Sequence, residues 1–375
     1  MHIVFLLLIL TFINLPVYSI DTKASEAIVY DYNTQEIIFE KQSNKLTIPA
    51  SMTKIMTVYA VFDRIQNTSL SIDDKCSVSA KAFRMGGSRM FLEREDRVTI
   101  DDLLRGIVIQ SGNDASVAIA ECLSGTEEDF ALLMNSYANS LGLKNTNFIN
   151  ASGWPNDNHY STVKDIMLVS EALIRNFPDF YGYFKEREFT YNNIRQLNRN
   201  VLLHRVDGTD GLKTGFTKNS GWGIAASAIR ENRRIIVVIN GTNSSRTRAL
   251  ESETLINWAF RETTQKIILE KNQIIKEVDT WLGSKPSVNL IVGNDVITTL
   301  SFDQLKTIKS DIEYEKPVSA PIKAGDILGK MTIQISGKQS IEVPLLAETN
   351  VNRINPLLRI FAAIKYLIFG TSLDE

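Results

Sequence analysis

The segment Ser51-Met52-Thr53-Lys54-Ile55-Met56-Thr57-Val58-Tyr59-Ala60-Val61-Phe62 is apolar on most sides, as a buried helix would be, yet it opens on a serine and holds a lysine. It follows the interruption Pro49-Ala50, which places Ser51 at or near the helix N-terminus. There, free backbone N–H groups and the helix dipole favour negative charge. Lys54 is three residues on, one turn away on the same face. An amine held beside a serine hydroxyl in a dry site can act as its base, provided burial or a neighbouring cation lowers its pKa. A Ser-x-x-Lys pattern alone is weak evidence, because serine is also an ordinary helix cap. A second copy, Ser161-Thr162-Val163-Lys164, reads as such a start, with Thr162 and Asp165 in capping-box positions before Ile166-Met167-Leu168.

Working outward, Ala27-Ile28-Val29-Tyr30 and Glu36-Ile37-Ile38-Phe39 read as two strands joined through Asn33-Thr34. Ser111-Gly112-Asn113 follows the apolar residues 103–109 and precedes a helical run over 115–123; taken singly it is a cap and turn. Lys213-Thr214-Gly215 follows the turn cluster Asp207-Gly208-Thr209-Asp210-Gly211. The run 221–228 beyond it pairs with 234–240 across Glu231-Asn232 as a hairpin. Small residues along the Lys213 strand are expected to leave room for an extended substrate beside its edge; by itself an exposed lysine on a strand is common. After Trp258-Ala259-Phe260 the segments become short, β-branched and separated by Gly, Asp or Pro. They predict a small antiparallel domain from about 263 to 350 without a catalytic constellation.

Bulk properties narrow the chemistry. The 375 residues suggest two or three domains. The 41 Lys plus Arg against 43 Asp plus Glu, net −2, argue against a dedicated nucleic-acid binder. A hydrophobic content of 44% with 9 Pro and 20 Gly excludes a disordered or fibrous chain. Cys76 and Cys122 are too few for a disulfide scaffold or a four-cysteine zinc site, and the sequence does not say whether they pair. His2, His159 and His204 are too sparse for most histidine-dependent metal chemistry, and neither His159 nor His204 sits near a nucleophile motif, so both read as structural. No metal or cofactor is expected.

Both ends are apolar. The run 3–10, extended by Phe12 and Ile13 and ending near Pro16, leads to Val17-Tyr18-Ser19 and reads as a signal peptide over 1–19, although its n-region carries only the α-amino group and His2. At the other end, Leu357, Ile360, Phe361, Ile364, Leu367 and Ile368 share one helical face after Asn355-Pro356. A helix of fourteen residues reaches about 21 Å, short of the roughly 30 Å hydrocarbon core, so residues 351–375 are expected to lie in the membrane interface. The alternative is a helix docked on the protein's own core.

In the order Ser-x-x-Lys, Ser-x-Asn, Lys-Thr-Gly, the three motifs form the set shared by class A β-lactamases and penicillin-binding proteins. Together with Ser111-Gly112-Asn113-Asp114-Ala115, Gly87-Ser88-Arg89-Met90-Phe91-Leu92, His159-Tyr160-Ser161-Thr162 and the stretch 210–248, they make the chain resemble the low-molecular-mass penicillin-binding proteins that are D-alanyl-D-alanine carboxypeptidases, serine peptidase family S11. The resemblance implies an α/β (α+β) transpeptidase-like domain over 20–262, with an antiparallel sheet flanked by helices. A small all-β domain over 263–350 and an amphipathic anchor over 351–375 would follow it.

By that pattern Ser51 would attack the terminal D-Ala-D-Ala peptide bond of a peptidoglycan pentapeptide and form an acyl-enzyme. Lys54 would take its proton. Ser111 and Lys213 would relay a proton to the leaving D-alanine, and Asn113 would hold the substrate backbone. The N–H groups of Ser51 and Phe216 would form the oxyanion hole, and Thr214, Arg199 and Arg248 would meet the free carboxylate. Arg248 is favoured over Arg246 by register. Phe216 stands where some relatives carry His. β-Lactam antibiotics would acylate the same serine, and the protein would be exported to the extracytoplasmic face of the membrane. Three competitors remain. A class A β-lactamase needs a glutamate-bearing deacylation loop, and residues 113–213 show no convincing Glu-x-x-x-Asn. A D,D-endopeptidase is disfavoured by the C-terminal domain. A non-catalytic peptidoglycan-binding or β-lactam-sensing module would not need the complete motif set.

Overall fold

Strand β1 (Glu26–Asp31) and β2 (Glu36–Lys41) form the expected hairpin, and the chain then turns to helices. These are α1 (Lys54–Asn67), α2 (Asn113–Ser124), α3 (Glu127–Ser140) and α4 (Val163–Asn176). It returns through β3 (Thr209–Thr217), β4 (Gly221–Arg230), β5 (Arg233–Thr242) and α5 (Ser245–Glu262). This computed structural model describes residues 20–356 with Ile360, Phe361 and Ile364; the expected signal at 1–19 and most of the expected terminal helix lie outside the described residues.

The five strands make one antiparallel sheet in the order β2-β1-β5-β4-β3, which leaves β3, the Lys213 strand, on an edge. Glu231 and Asn232, at φ 48° and 65°, close the β4–β5 hairpin as a two-residue turn with both φ positive. The near-continuous apolar runs of β1 and β5 follow from burial on both faces. Ile28, Tyr30, Ile236 and Val238 join the core built from α1, α2 and α4. Ala27, Val29, Ile235, Val237 and Ile239 meet Leu255, Ile256 and Ala259 of α5. α1 is buried from Lys54 through Phe62, and α4 starts as expected, with Thr162 Oγ1 accepting from the Asp165 N–H at 3.0 Å. Cys76 and Cys122 do pair, tying the strand Lys75–Ser77 to α2.

Beyond α5 the chain is β-rich. β6 (Thr263–Leu269), β7 (Ile274–Trp281), β8 (Ser287–Val292), β9 (Val296–Ser301), β10 (Lys309–Tyr314), β11 (Val318–Ser319), β12 (Ile327–Gln334) and β13 (Ile341–Ala347) follow in order. β6 pairs with β9, and the other six form a sheet ordered β10-β12-β13-β8-β7-β11 around its own core. One pairing departs from the antiparallel expectation: β11 runs parallel to β7. At the junction Asp31, fully buried, accepts from Arg233 Nε at 2.8 Å, Gln265 Nε2 at 2.8 Å and Thr299 Oγ1 at 2.9 Å. Lys338 reaches Glu36 at 2.7 Å. These bonds fix the β1–β2 hairpin against the second unit.

Candidate active site

Ser51 lies in the 3₁₀ turn Ala50–Thr53 that leads into α1, and Ala50 before it has φ 50°, a left-handed conformation rare outside glycine. Lys54, fully buried, is the first α-helical residue. Its Nζ is 3.1 Å from Ser51 Oγ, 2.8 Å from Asn113 Oδ1 and 2.6 Å from the Ser152 carbonyl. In the free-base form two N–H groups satisfy Asn113 and Ser152, and the lone pair is left for the Ser51 hydroxyl.

A helix over Ile100–Arg105 runs into a π-helical turn, Gly106–Gln110, which ends on Ser111 at φ 65°, ψ 36°. The wide turn and left-handed exit deliver Ser111 and Asn113 to the same cleft, at a conformational cost of about 1–3 kcal/mol. Asn113 Nδ2 donates to the Gly86 carbonyl at 2.9 Å, and its N–H to the Ser88 carbonyl at 2.7 Å, so the 86–92 loop is bound to the start of α2. Asp114 reinforces this by accepting from the N–H groups of Met90, Phe91 and Leu92.

β3 brings the third motif. Lys213 is buried, and its Nζ donates to the Thr214 carbonyl at 3.2 Å. No hydrogen bond joins Ser111 to Lys213 among the described residues, so the expected relay contact is not made in this state. Gly215 lines the cleft and also meets a packing need that the sequence does not suggest. A Cβ there would lie 2.9 Å from the Pro49 carbonyl and 3.3 Å from Ala50 Cβ, so the glycine lets β3 press against the Ser51 turn. Arg248, near the start of α5, is buried with its guanidinium 5.5 Å from the Trp222 ring, whereas Arg246 is exposed. Trp222 in turn stacks with Phe216 at 4.2 Å. Arg199 donates to Ser88 Oγ at 2.6 Å, closing the opposite wall.

Sequence reading missed the 150–154 loop. Asn150 Oδ1 accepts from the N–H groups of Ser152, Gly153 and Trp154, an Asx-type turn that Asn-Ala-Ser-Gly could have signalled. Thr57 Oγ1 donates to the Ala151 carbonyl at 2.6 Å, and Glu127 accepts the Ala151 N–H at 3.1 Å. Those bonds aim the Ser152 carbonyl at Lys54. His159 is far from the motifs in sequence but packs behind Ser51: Nδ1 accepts from the Ile149 N–H at 3.1 Å, which puts the proton on Nε2 for Thr53 Oγ1 at 2.9 Å. Both nitrogens are therefore occupied, and burial, helped by Lys54, pushes its pKa down to about 4. It is a neutral structural histidine, not a base for Ser51.

The cleft, about 820 Å³, is lined by Ser51, Ser111, Asn113, Trp154, Arg199, Thr214, Phe216, Lys218 and Arg248 among others, with no Asp or Glu among the described residues of its wall. Burial, then the Arg199 charge, pushes Lys54 down to about 7 against the opposing pull of Asp114 and Glu127. Burial, then Lys54, Arg199 and Arg248, holds Lys213 well below the usual lysine range. Burial and Arg199 bring Arg248 down to about 10. The arrangement offers a free-base amine to a serine hydroxyl and a cationic, acid-free enclosure to an anion.

Residues 14–244 match the family described as D-alanyl-D-alanine carboxypeptidase, and residues 264–353 match the penicillin-binding protein 5 C-terminal domain. The chain is 38% identical to D-alanyl-D-alanine carboxypeptidase DacC of Escherichia coli over 343 residues, 89% of this chain and 85% of that protein. Penicillin binding protein 5 from Haemophilus influenzae superposes with a TM-score of 0.77 at 33% identity, covering 90% of this chain and all of that one. A penicillin-binding protein from Listeria monocytogenes, solved in its ampicillin-bound form, is similar over 65% of this chain and 99% of its own, at 29% identity and a TM-score of 0.60. With Ser51, Ser111, Asn113 and Thr214 from the three motifs lining one cleft, the chain belongs to the D-alanyl-D-alanine carboxypeptidase family.

Proposed function

We propose that this chain removes the terminal D-alanine from peptidoglycan pentapeptide stems through a Ser51 acyl-enzyme, and that penicillins acylate the same serine. The observation that carries the reading is Lys54: buried, held by Asn113 and Ser152, and directed at Ser51 Oγ with a pKa near neutrality. Ser51 Oγ attacks the carbonyl carbon of the penultimate D-alanine while Lys54 Nζ takes the hydroxyl proton. Charge on the carbonyl oxygen is met by the N–H groups of Ser51 and Phe216, a type of contact whose single loss costs about 10²–10³ in rate. The C–N bond then breaks, and the proton taken by Lys54 passes through Ser111 and Lys213 to the leaving amine, which returns Lys54 to its free-base form. Asn113 holds the peptide backbone. Lys213, Thr214, Arg199 and Arg248 receive the free carboxylate, for which a guanidinium fork is suited. Water next attacks the ester, its proton passing to Lys54, and regenerates Ser51. The acid-free wall supplies no glutamate to speed that step for a penicilloyl ester, which favours a penicillin-inhibited peptidase over a β-lactamase.

The division into a catalytic unit at 20–262, a β-rich unit at 263–350 and a terminal segment at 351–375 belongs to the same proposal. Export of the protein is supported by the Cys76–Cys122 disulfide, a bond typical of oxidising compartments. Attachment at the membrane surface through the C-terminus is supported by Ile360, Phe361 and Ile364, which are exposed; among the described residues no helix is long and apolar enough to cross a membrane. The test is release of D-alanine from a diacetyl-Lys-D-Ala-D-Ala peptide by the mature protein, beside Ser51→Ala. Wild type is expected to release it and the variant to be silent. Penicillin labelling without D-alanine release would instead identify a sensor, and rapid penicillin turnover a lactamase.

A further inference from the structure

The first turn of α3 carries three acids, Glu127, Glu128 and Asp129, as suits the positive end of a helix dipole. Glu128 and Asp129 are exposed, whereas Glu127 is turned inward with only 6% of its surface exposed. A dipole does not need its acid buried, and a buried carboxylate is costly unless it is paired and hydrogen-bonded. Glu127 is both. Its Oε2 is 3.0 Å from Lys81 Nζ, and its Oε1 accepts the Ala151 N–H at 3.1 Å. The carbonyl of the same Ala151 accepts from Thr57 Oγ1 of α1 at 2.6 Å. The next carbonyl along the chain is that of Ser152, 2.6 Å from Lys54 Nζ. Asn150 shapes this loop from within. Glu127 and Thr57 grip it from outside, on the residue just before the carbonyl that Lys54 uses.

We propose that Glu127 is a positioning residue for the acylation of Ser51: its reach holds the Ser152 carbonyl at Lys54, and its negative charge favours the proton-bearing form of that lysine. The proposal rests on the reading of Lys54 as the base for Ser51. The two effects oppose each other in rate. A fixed Ser152 carbonyl takes one N–H of Lys54 and so turns the lone pair toward Ser51 Oγ, 3.1 Å away, whereas the charge delays loss of the lysine's proton. Around Lys54 stand the cations Arg199 and Lys213, the neutral His159, and the carboxylates Asp114 and Glu127. Burial and Arg199 lower the Lys54 pKa, and the two carboxylates resist. Asp114 is committed to the N–H groups of Met90, Phe91 and Leu92 beside the Ser-x-Asn motif. Glu127 lies outside all three motifs, and its partner Lys81 is half-buried and shared with Glu128 at 2.9 Å, so solvent screens that cation more than the buried carboxylate.

Two variants separate reach from charge. Glu127→Gln keeps an oxygen for the Ala151 N–H and removes the charge; Glu127→Asp keeps the charge and is one methylene short of the N–H. The experiment measures Ser51 acylation by a fluorescent penicillin from pH 5 to 9 with the full mature protein, and the melting temperature of each variant. In Glu127→Gln the acid limb should move to lower pH, so that acylation at pH 6 rises about two- to threefold while the plateau above pH 8 stays within about twofold of wild type. In Glu127→Asp the limb should stay near its wild-type position and the plateau should fall about three- to tenfold. A carboxylate that merely supported α3 would lower the melting temperatures and move neither limb nor plateau. A Glu127→Gln limb that stays in place or moves to higher pH, or a wild-type plateau in Glu127→Asp, overturns the inference whatever the melting temperatures do, and leaves Lys54 as the base. A wild-type profile without an acid limb overturns both.

Discussion

On the proposed mechanism Lys54 sets the pH dependence of Ser51 acylation, and the size of the effect follows from its burial. An ordinary lysine, at 10.5, presents about three molecules in 10⁴ as free base at pH 7; at about 7 the fraction is about one half. Burial and Arg199 therefore raise the supply of base by roughly a thousandfold. The active form is the deprotonated one, so activity is lost as pH falls through 7: to about one tenth at pH 6 and one hundredth at pH 5, with a plateau above 8. The assay is the second-order rate of Ser51 acylation by a fluorescent penicillin from pH 5 to 9 at constant ionic strength. Arg199→Ala removes a neighbouring cation, which lets the lysine pKa rise and moves the limb to higher pH. Lys54→Arg, which keeps its proton throughout, should lose at least about 10² in rate. A profile flat from pH 5 to 8, or a limb that Arg199→Ala moves to lower pH, would refute the assignment of Lys54 as the base.

Gly153→Ala places a methyl 1.8 Å from the Ala50 carbonyl in a backbone at φ 75°, and is expected to cost about 2–5 kcal/mol and to slow penicillin acylation. Gly142→Ala, at φ 73° with open space around it, should show only the backbone part of that loss and normal acylation; equal thermal shifts in the two variants would refute the packing argument. Reduction of the Cys76–Cys122 bond, or its replacement by two serines, removes a cross-link of sequence separation 46 and should lower stability by up to about 4 kcal/mol, read as a fall in melting temperature.

Much of the site was legible because each motif is local. Ser51 and Lys54 are one helical turn apart, so helix geometry alone brings them together. The same is true of the capping box at Thr162 and of the two-residue turn at Glu231-Asn232, whose conformations depend on immediate neighbours. The β-rich character of the C-terminal unit was legible from its short β-branched runs, but the parallel β7–β11 pair was not, since strand direction depends on partners nearly forty residues away. Register already favoured Arg248 over Arg246, but its burial near Trp222 follows from the phase of α5.

The sequence by itself determined which groups are on offer: a serine and a lysine one helical turn apart, a small set of polar partners, and sheet strands apolar enough to be covered on both faces. Tertiary structure alone decided what state that chemistry is in. The carbonyl of Ser152 is 98 residues from Lys54 in the chain and 2.6 Å away in space, and no spacing rule could pair them. His159, more than 40 residues from the three catalytic-type motifs in the chain, fills the space behind Thr53 with both nitrogens engaged. Gly215, which lines the cleft, also lets β3 press against the turn that carries Ser51. A pKa depends on what surrounds a group in three dimensions, so only the folded protein brings Lys54 down to about 7.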